Sequence, residues 1–251
     1  MPSADSSSVK TIFRVDYKPT LDFYDRLNSS AQLLADTYKN WQTDRLRVVL
    51  KDFPQRCSLT IAHANFFFTQ DSLNSSENEK SRIDEVIKVL PKALGKDVNA
   101  RVGLRRKYLI AVEMDYKDLH QLVSSKLLNA NPELTKSIYP WAQDFHLVFS
   151  APDAGFRGLT LGPISQEQLP QFLEPDESNF EVGDITLLTG KWFEGYPRTA
   201  IYVDCDYAKT NIKSDKLLDF YTEARENHKI LVENVQHYYW GLTDHGHSGS
   251  V

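Results

Sequence analysis

The sequence predicts an α+β protein, because segments with strand-like and helix-like apolar spacing alternate along the chain. The first half follows the order β-α-β-β-α-β, which is typical of a ferredoxin-like sandwich. The second half predicts mainly antiparallel strands and a long C-terminal helix. The chain has 251 residues, of which 41% are hydrophobic, and a net charge of −5. This composition is that of a globular protein and excludes collagen-like and disordered classes.

The first lobe is expected to span residues 9–114. Its strands show apolar side chains at every second position, and its helices show them three or four positions apart. Gly95 is expected to end the second helix as a C-cap. In chain order the elements are a strand Thr11–Tyr17, a helix Leu21–Tyr38, strands Arg45–Phe53 and Arg56–Gln70, a helix Glu79–Leu94 and a strand Arg101–Val112.

The second lobe is expected to span residues 115–243 and to share one sheet system with the first. Asp115 is placed to cap its first helix. Glycines punctuate a turn-rich stretch around Leu159–Leu161, and the prolines and acids of Gln166–Asn179 predict an exposed loop. Residues 1–8 and 244–251 are expected to be flexible tails. The remaining elements are a helix Tyr116–Leu128 and strands Phe145–Ser150, Asp184–Thr189 and Thr199–Tyr207.

A helix is predicted from Ser214 to about Trp240, and its apolar residues repeat with heptad spacing. The apolar stripe is wider than a coiled-coil seam, which favours a helix packed on the sheet over a dimeric coiled coil. A homodimer through this helix remains the alternative. Under that alternative the interface consists of Leu217, Tyr221, His228, Tyr238 and Tyr239.

Asp204 and Asp206 form the sharpest candidate for chemistry. They lie two positions apart on a predicted strand, so both carboxylates project from one face. Two converging carboxylates can hold Mg²⁺ for an enzyme that acts on nucleotides or nucleic acid. The structural alternative, an acidic outer face with Val203 and Cys205 pointing inward, is favoured. No catalytic residue, metal or cofactor is therefore assigned, and Asp204, Asp206 and Mg²⁺ are kept as the alternative.

A basic run on the strand that ends the first lobe is the second candidate. Arg101, Arg105 and Arg106 could bind an anion, since guanidinium groups hold phosphates and carboxylates with two hydrogen bonds. Gly103 lies between Arg101 and Arg105 on one face and would let a ligand approach closely. Pairing with neighbouring acids is the structural alternative and is favoured. If the arginines are unpaired, they suggest a sensor of small anions.

Other motifs are weak. Cys57 and Cys205 do not have metal-ligand spacing and are expected to stay reduced in a cytoplasmic protein. Of Phe66, Phe67 and Phe68, two are expected in the core and one could form an exposed aromatic platform. The start of the chain does not resemble a signal peptide, and no apolar run is long enough to span a membrane. Nucleic acid is possible as a partner but is not favoured by the negative charge.

The sequence resembles a sporadically distributed, uncharacterised family of bacterial proteins about 250 residues long. The resemblance is carried by RVGLR at Arg101–Arg105, IYVDCDY at Ile201–Tyr207 and a long closing helix that ends in HYYWGL. It implies a role in bacterial conflict, such as phage defence or toxin neutralisation, and no catalytic residues. The expected function is therefore non-catalytic binding of a macromolecular partner, most simply a protein, through an acidic and aromatic surface.

Overall fold

A computed structural model describes residues 8–71, 76–127, 147–151, 156–181 and 195–240. The strands of this part of the chain are β1 Ser8–Asp16, β2 Asn40–Thr43, β3 Arg47–Asp52, β4 Cys57–Ala62, β5 Asn65–Asp71, β6 Val98–Ala111, β7 Leu147–Ala151, β8 Phe156–Ser165 and β9 Thr199–Lys213. The α-helices are α1 Phe23–Gln32, α2 Ser76–Ala93, α3 Tyr116–Leu127, α4 Leu169–Leu173 and α5 Leu217–Trp240.

The described strands form one sheet in the order β2-β3-β4-β5-β1-β6-β9-β8-β7. Every pairing between neighbours is antiparallel. The longest pairing joins β6 to β9, from Val98 opposite Lys213 to Ala111 opposite Ala200. A single sheet therefore contains strands from both halves of the chain.

Helices α1, α2, α3 and α5 pack against one side of the sheet, which we call the helix face. Strand residues alternate between the two sides, so β1 sends Phe13 and Val15 to this face. Under α1 and α2 the core contains fully buried aromatic and aliphatic side chains. Under α3 and the end of α5 it contains residues such as Ile201 and Val203 of β9. Burial of this apolar surface is the main force that holds the helices on the sheet.

Residues Ser165–Phe180, which we call the strap, cover part of the opposite side of the sheet. We call this side of the sheet the strap face. The strap contains α4 and a 3-10 turn at Glu177–Asn179. Its apolar side chains Leu169 and Leu173 are buried against Leu109 and Tyr202 of the sheet. The segment Gln166–Asn179 was predicted as an exposed loop, and this prediction is wrong because the segment contains α4 and buries Leu169, Leu173 and Asn179.

The ferredoxin-like arrangement is not confirmed. The first lobe departs from the β-α-β-β-α-β order, because two further strands, β2 and β3, come between α1 and β4. The position of β1 between β5 and β6, antiparallel to both, is compatible with a split β-α-β unit, in which the two parallel strands are not neighbours. The predicted strand Arg56–Gln70 is in fact the hairpin of β4 and β5, and β2 is an additional short strand. The first helix ends at Gln32 instead of Tyr38, although Gly95 ends α2 with φ +65° as predicted.

The later elements agree in part with the prediction. Asp115 caps α3, because its Oδ1 accepts a hydrogen bond of 2.8 Å from the backbone N–H of Asp118. The stretch expected to be rich in turns around Leu159–Leu161 is part of strand β8. Ser8 is buried in β1 and does not belong to a flexible tail. Residues 1–7 and 244–251 and the predicted strand Asp184–Thr189 lie outside the described residues.

The heptad seam of α5 is used inside the chain, as the packing interpretation predicted. Leu217, Tyr221, His228 and Tyr239 are each at most 4% exposed, and only Tyr238 of the predicted interface is open to solvent, at 52%. The four buried residues are therefore not available to a second copy, and their assignment as an interface is corrected. Among the described helices, none combines the length and the apolar character that crossing a membrane requires.

Candidate functional site

The predicted basic strip is divided between the two faces of the sheet. Successive residues of a strand point to opposite sides, so Arg105 lies on the strap face and Arg106 on the helix face. Arg101 shares the strap face with Arg105 and is exposed at its end of the strand. Arg106 is buried and ion-paired with Glu79 of α2. The three arginines therefore do not form one anion-binding strip.

Arg105 is held by Asp204, its diagonal neighbour on β9. Its Nε lies 3.0 Å from Asp204 Oδ1, and its Nη2 lies 2.6 Å from Oδ2. This two-point contact is the strong geometry for a guanidinium and a carboxylate. The hydrogen bond with Asp204 raises the pKa of Arg105 further above its usual range. The favoured structural alternative, pairing with neighbouring acids, is thus what the structure contains.

Asp206 lies beside this pair on the same face, while Cys205 between the two aspartates points into the core. The Nη2 atom of Arg101 is 4.0 Å from Asp206 Oδ2, at the limit of an ion pair. Burial raises the pKa of Asp206 and the charge of Asp204 adds to this, while Arg101 and Arg105 oppose it. Asp206 is therefore the less firmly paired of the two carboxylates.

The donor set around the two aspartates does not suit a divalent cation. Arg105 uses both oxygens of Asp204, and the ammonium group of Lys107 raises the local positive charge further. In the described ranges no group of three or more His, Cys, Asp or Glu side chains is placed to hold a metal ion. A Mg²⁺ ion at Asp204 and Asp206 would have to displace an arginine and stay close to its charge.

Two buried lysines fix the strap on the sheet. Lys10 of β1 donates to the backbone carbonyl of Glu174, and Lys107 of β6 donates to that of Phe172. Both carbonyls lie at the C-terminal end of α4, where the helix dipole favours positive charge. Lys107 also lies 3.2 Å from the Glu174 carboxylate, while burial lowers its pKa.

A buried acid fixes the end of the strap. Asp71 Oδ2 accepts hydrogen bonds from the backbone N–H of Asp176 at 2.8 Å and from Asn179 Nδ2 at 3.0 Å. Lys10 Nζ lies 3.3 Å from Asp71 Oδ1. Burial raises the pKa of Asp71, with Lys10 opposing it. The charges of the strap face that lie under the strap thus serve to hold it in place.

On the helix face, Glu79 is the centre of a second buried network. Its carboxylate lies 2.8 Å from the Thr11 hydroxyl, 3.0 Å from the Tyr221 hydroxyl and 3.3 Å from Arg106 Nη2. His228 of α5 is near this network, and neither of its ring nitrogens has a hydrogen-bond partner among the described protein atoms. This network joins α2, α5 and β6 and does not reach the surface.

The edge strand β2 is open to solvent. All four of its residues are exposed, and within the described sheet β2 pairs only with β3. Between β2 and α1 lies a cavity of about 220 Å³, lined on its floor by Ala31, Val48 and Leu50. Trp41 borders this cavity and is 66% exposed. We call Trp41, the floor residues and the outer side of β2 the edge groove.

The remaining candidates are parts of the core. Phe66 and Phe68 are buried as predicted, and Phe67 is half-buried on the strap face. Both cysteines are free and buried, and burial raises the pKa of each thiol to about 12. A thiol with such a pKa is protonated at neutral pH and does not act as a nucleophile.

No protein-family model matches the chain, and no curated protein matches its sequence. Arg105, Asp204 and His228 were predicted from the sequence, whereas the edge groove was not. The signal for β2 was only four residues long, although an isolated tryptophan between the polar residues Asn40 and Gln42 marks the position.

Proposed function

We propose that this chain is a non-catalytic binding protein of a bacterial conflict system that recognises a macromolecular partner, and that the partner is a protein. One observation supports it most strongly. Nine large hydrophobic side chains are exposed in the described part of the chain, and five of them lie between positions 21 and 46. The five are Leu21, Tyr24, Leu33, Trp41 and Leu46. These five share one short stretch of the chain, and Trp41 among them borders the cavity beside α1. Exposed apolar patches are typical of protein interaction sites.

The charged sites offer less support for catalysis. Asp204 is engaged by Arg105, both thiols are protonated in the core, and Lys107 holds the strap. These are structural uses of residues that an enzyme would keep available to substrate. The role in conflict systems is supported by the sequence resemblance alone.

The surface that carries the exposed aromatic residues differs from the one expected. An acidic and aromatic surface was predicted from the total charge of −5. Residues 36–52, which contain β2 and β3, carry four basic side chains against three acidic ones, a local charge of +1. Asp52 is paired with Arg82 of α2 and Asp44 with Arg47, so Lys39, Arg45 and Lys51 outnumber the one remaining acid, Asp36. The proposed binding region is therefore aromatic and basic, and it complements an acidic partner.

The proposal is tested by the efficiency of plating of a phage panel on bacteria that produce the chain. We expect wild type to lower plating of at least one phage, and Trp41→Ser to abolish this effect without loss of folded protein. Tyr238→Ser is the matched control, because Tyr238 is a similarly exposed aromatic residue outside this region.

Asp206→Asn separates binding from catalysis. The substitution leaves the Arg105–Asp204 contact intact but removes one of the two carboxylates that a metal-dependent enzyme would need. A binding protein keeps its protective effect in this variant. Loss of protection in a folded Asp206→Asn protein, or no protection by wild type against phages or co-produced toxins, contradicts the proposal.

A further inference from the structure

The backbone of β2 offers hydrogen bonds on its outer side. The N–H of Asp44 donates to the carbonyl of Arg47 at 3.0 Å, so these two residues form a hydrogen-bonded pair of the β2–β3 hairpin. Such pairs alternate with non-hydrogen-bonded pairs along antiparallel strands. Gln42 therefore bonds inward to β3, whereas Trp41 and Thr43 direct their N–H and C=O groups away from the sheet.

The edge groove offers room for side chains next to these backbone groups. The side chain of Trp41 is on the same side of the sheet as α1, and together with Thr43 it lines the cavity of about 220 Å³. The floor of this cavity is apolar, and its rim carries the polar side chains of Asn28 and Gln32. An extended chain paired with β2 would place every second side chain over this cavity.

The charge near β2 selects the kind of segment. Lys39 and Arg45, at the two ends of β2, are exposed, and Lys51 follows on β3. Asp44 is already paired with Arg47 at 2.9 Å. Asp52 is likewise paired with Arg82, so outside these ion pairs residues 36–52 present three cations against one acid, Asp36, in a protein of net charge −5. Like charges disfavour pairing of β2 with the same strand of a second copy, and an acidic segment is attracted.

We propose that β2 is a docking edge where an extended, acidic segment of a partner protein adds to the sheet through the outward backbone groups of Trp41 and Thr43. Main-chain hydrogen bonds supply affinity in this mode, and side chains in the groove supply selectivity. The inference rests on the proposed binding function and specifies its surface and the chemistry of its ligand. The competing explanation is that the basic residues only protect a short edge from aggregation.

The test uses the full chain and a phage-displayed library of random decapeptides as the probe. We expect enrichment of peptides rich in Asp and Glu. Their affinity, measured by fluorescence anisotropy, should fall as salt is raised from about 50 to about 300 mM, because ionic screening increases over this range. Enrichment of basic or charge-neutral peptides, or no enrichment, overturns the proposal.

Thr43→Pro and Thr43→Val form the decisive pair of variants. Proline removes the outward N–H of position 43 and leaves the inward hydrogen bonds of Gln42 intact, and such a change is tolerated at edge strands. We expect Thr43→Pro to weaken peptide binding about tenfold or more and Thr43→Val to change it by less than about twofold. Equal binding by both variants overturns strand addition.

Hydrogen exchange of wild type gives a readout that does not depend on any variant. On peptide binding the amides of Trp41 and Thr43 should become protected, while Gln42, already in the ladder, changes little. Protection of other amides in place of those of Trp41 and Thr43, or formation of a dimer, would show that the peptide does not add to β2 and would refute the inference. Because these measurements use peptides in vitro, they can fail while plating protection by wild type persists, so the two proposals are tested separately.

Discussion

Arg105 and Arg106 are neighbours in sequence and have opposite environments. Arg106 is 6% exposed and shares the helix face with the fully buried Glu79. Arg105 lies on the strap face with 42% of its side chain exposed and is paired with Asp204. The geometry of the Arg105 pair is better, since its shortest contact is 2.6 Å against 3.3 Å for Arg106 and Glu79.

The comparison shows that the burial of a charged pair, more than its contact distance, decides how much the pair contributes to the free energy of unfolding. Removing one member of a buried pair leaves the other charged in a medium that does not solvate it. Removing one member of a partly exposed pair leaves a charge that water can reach. Substitutions at the Glu79–Arg106 pair should therefore cost more stability than substitutions at the Asp204–Arg105 pair.

Glu79→Ala is expected to cost about 3–5 kcal/mol in the free energy of unfolding, because it leaves Arg106 buried and unpaired. It also removes the acceptor of Thr11 and Tyr221. Urea unfolding followed by circular dichroism measures the loss. Combining Glu79→Leu with Arg106→Leu should restore much of it, since the unpaired charge is then gone. A loss below about 1 kcal/mol in Glu79→Ala would mean that Arg106 is not left as a buried, unpaired charge.

His228 should make stability fall at acid pH. Burial lowers its pKa to about 3, with the charge of Arg106 adding to this. The unfolded chain takes up a proton below a pH of about 6.5 and the folded chain does not, so stability decreases as pH falls from 6.5 towards 3. Between pH 6.5 and 4.5 the loss from this residue is about 2 kcal/mol.

The contribution of His228 is isolated by comparison with His228→Leu. Leucine cannot take up a proton and needs no hydrogen-bond partner, while all other acid-sensitive groups are the same in both proteins. Urea unfolding of each protein at pH 6.5 and 4.5 should show a smaller decrease for His228→Leu. Equal decreases would mean that the imidazole is protonated in the folded protein.

Asp204→Asn should cost about 1–2 kcal/mol, because it weakens a charge-assisted contact with a partly solvated arginine. The loss should shrink as salt is raised, since Arg105 is reached by counterions. The matched control is Asp206→Asn on the same strand and face. Arg101 is 4.0 Å from Asp206, so we expect a change below about 0.5 kcal/mol. Equal losses of unfolding free energy in the two variants would refute the prediction that Asp204 is the more firmly paired carboxylate.

Much of the local structure was predictable from sequence. The apolar spacing of α5 placed Leu217, Tyr221 and His228 on one face, and all three are buried there. Asp115 was found from capping chemistry. The pairing of the arginines with acids was favoured, but Asp204 was not identified as the partner of Arg105. That contact joins positions 99 residues apart and depends on the register between β6 and β9.

Local patterns in the sequence were enough to indicate, in most cases, which segments become strands or helices and which side chains share a face, because periodicity is a local property of the backbone. The order of strands in the sheet, the burial of the strap and the position of β2 at the edge follow only from the folded chain. These depend on pairing between distant segments, where many registers satisfy the same alternation. They also decide which charges are paired and which surface stays available to a partner.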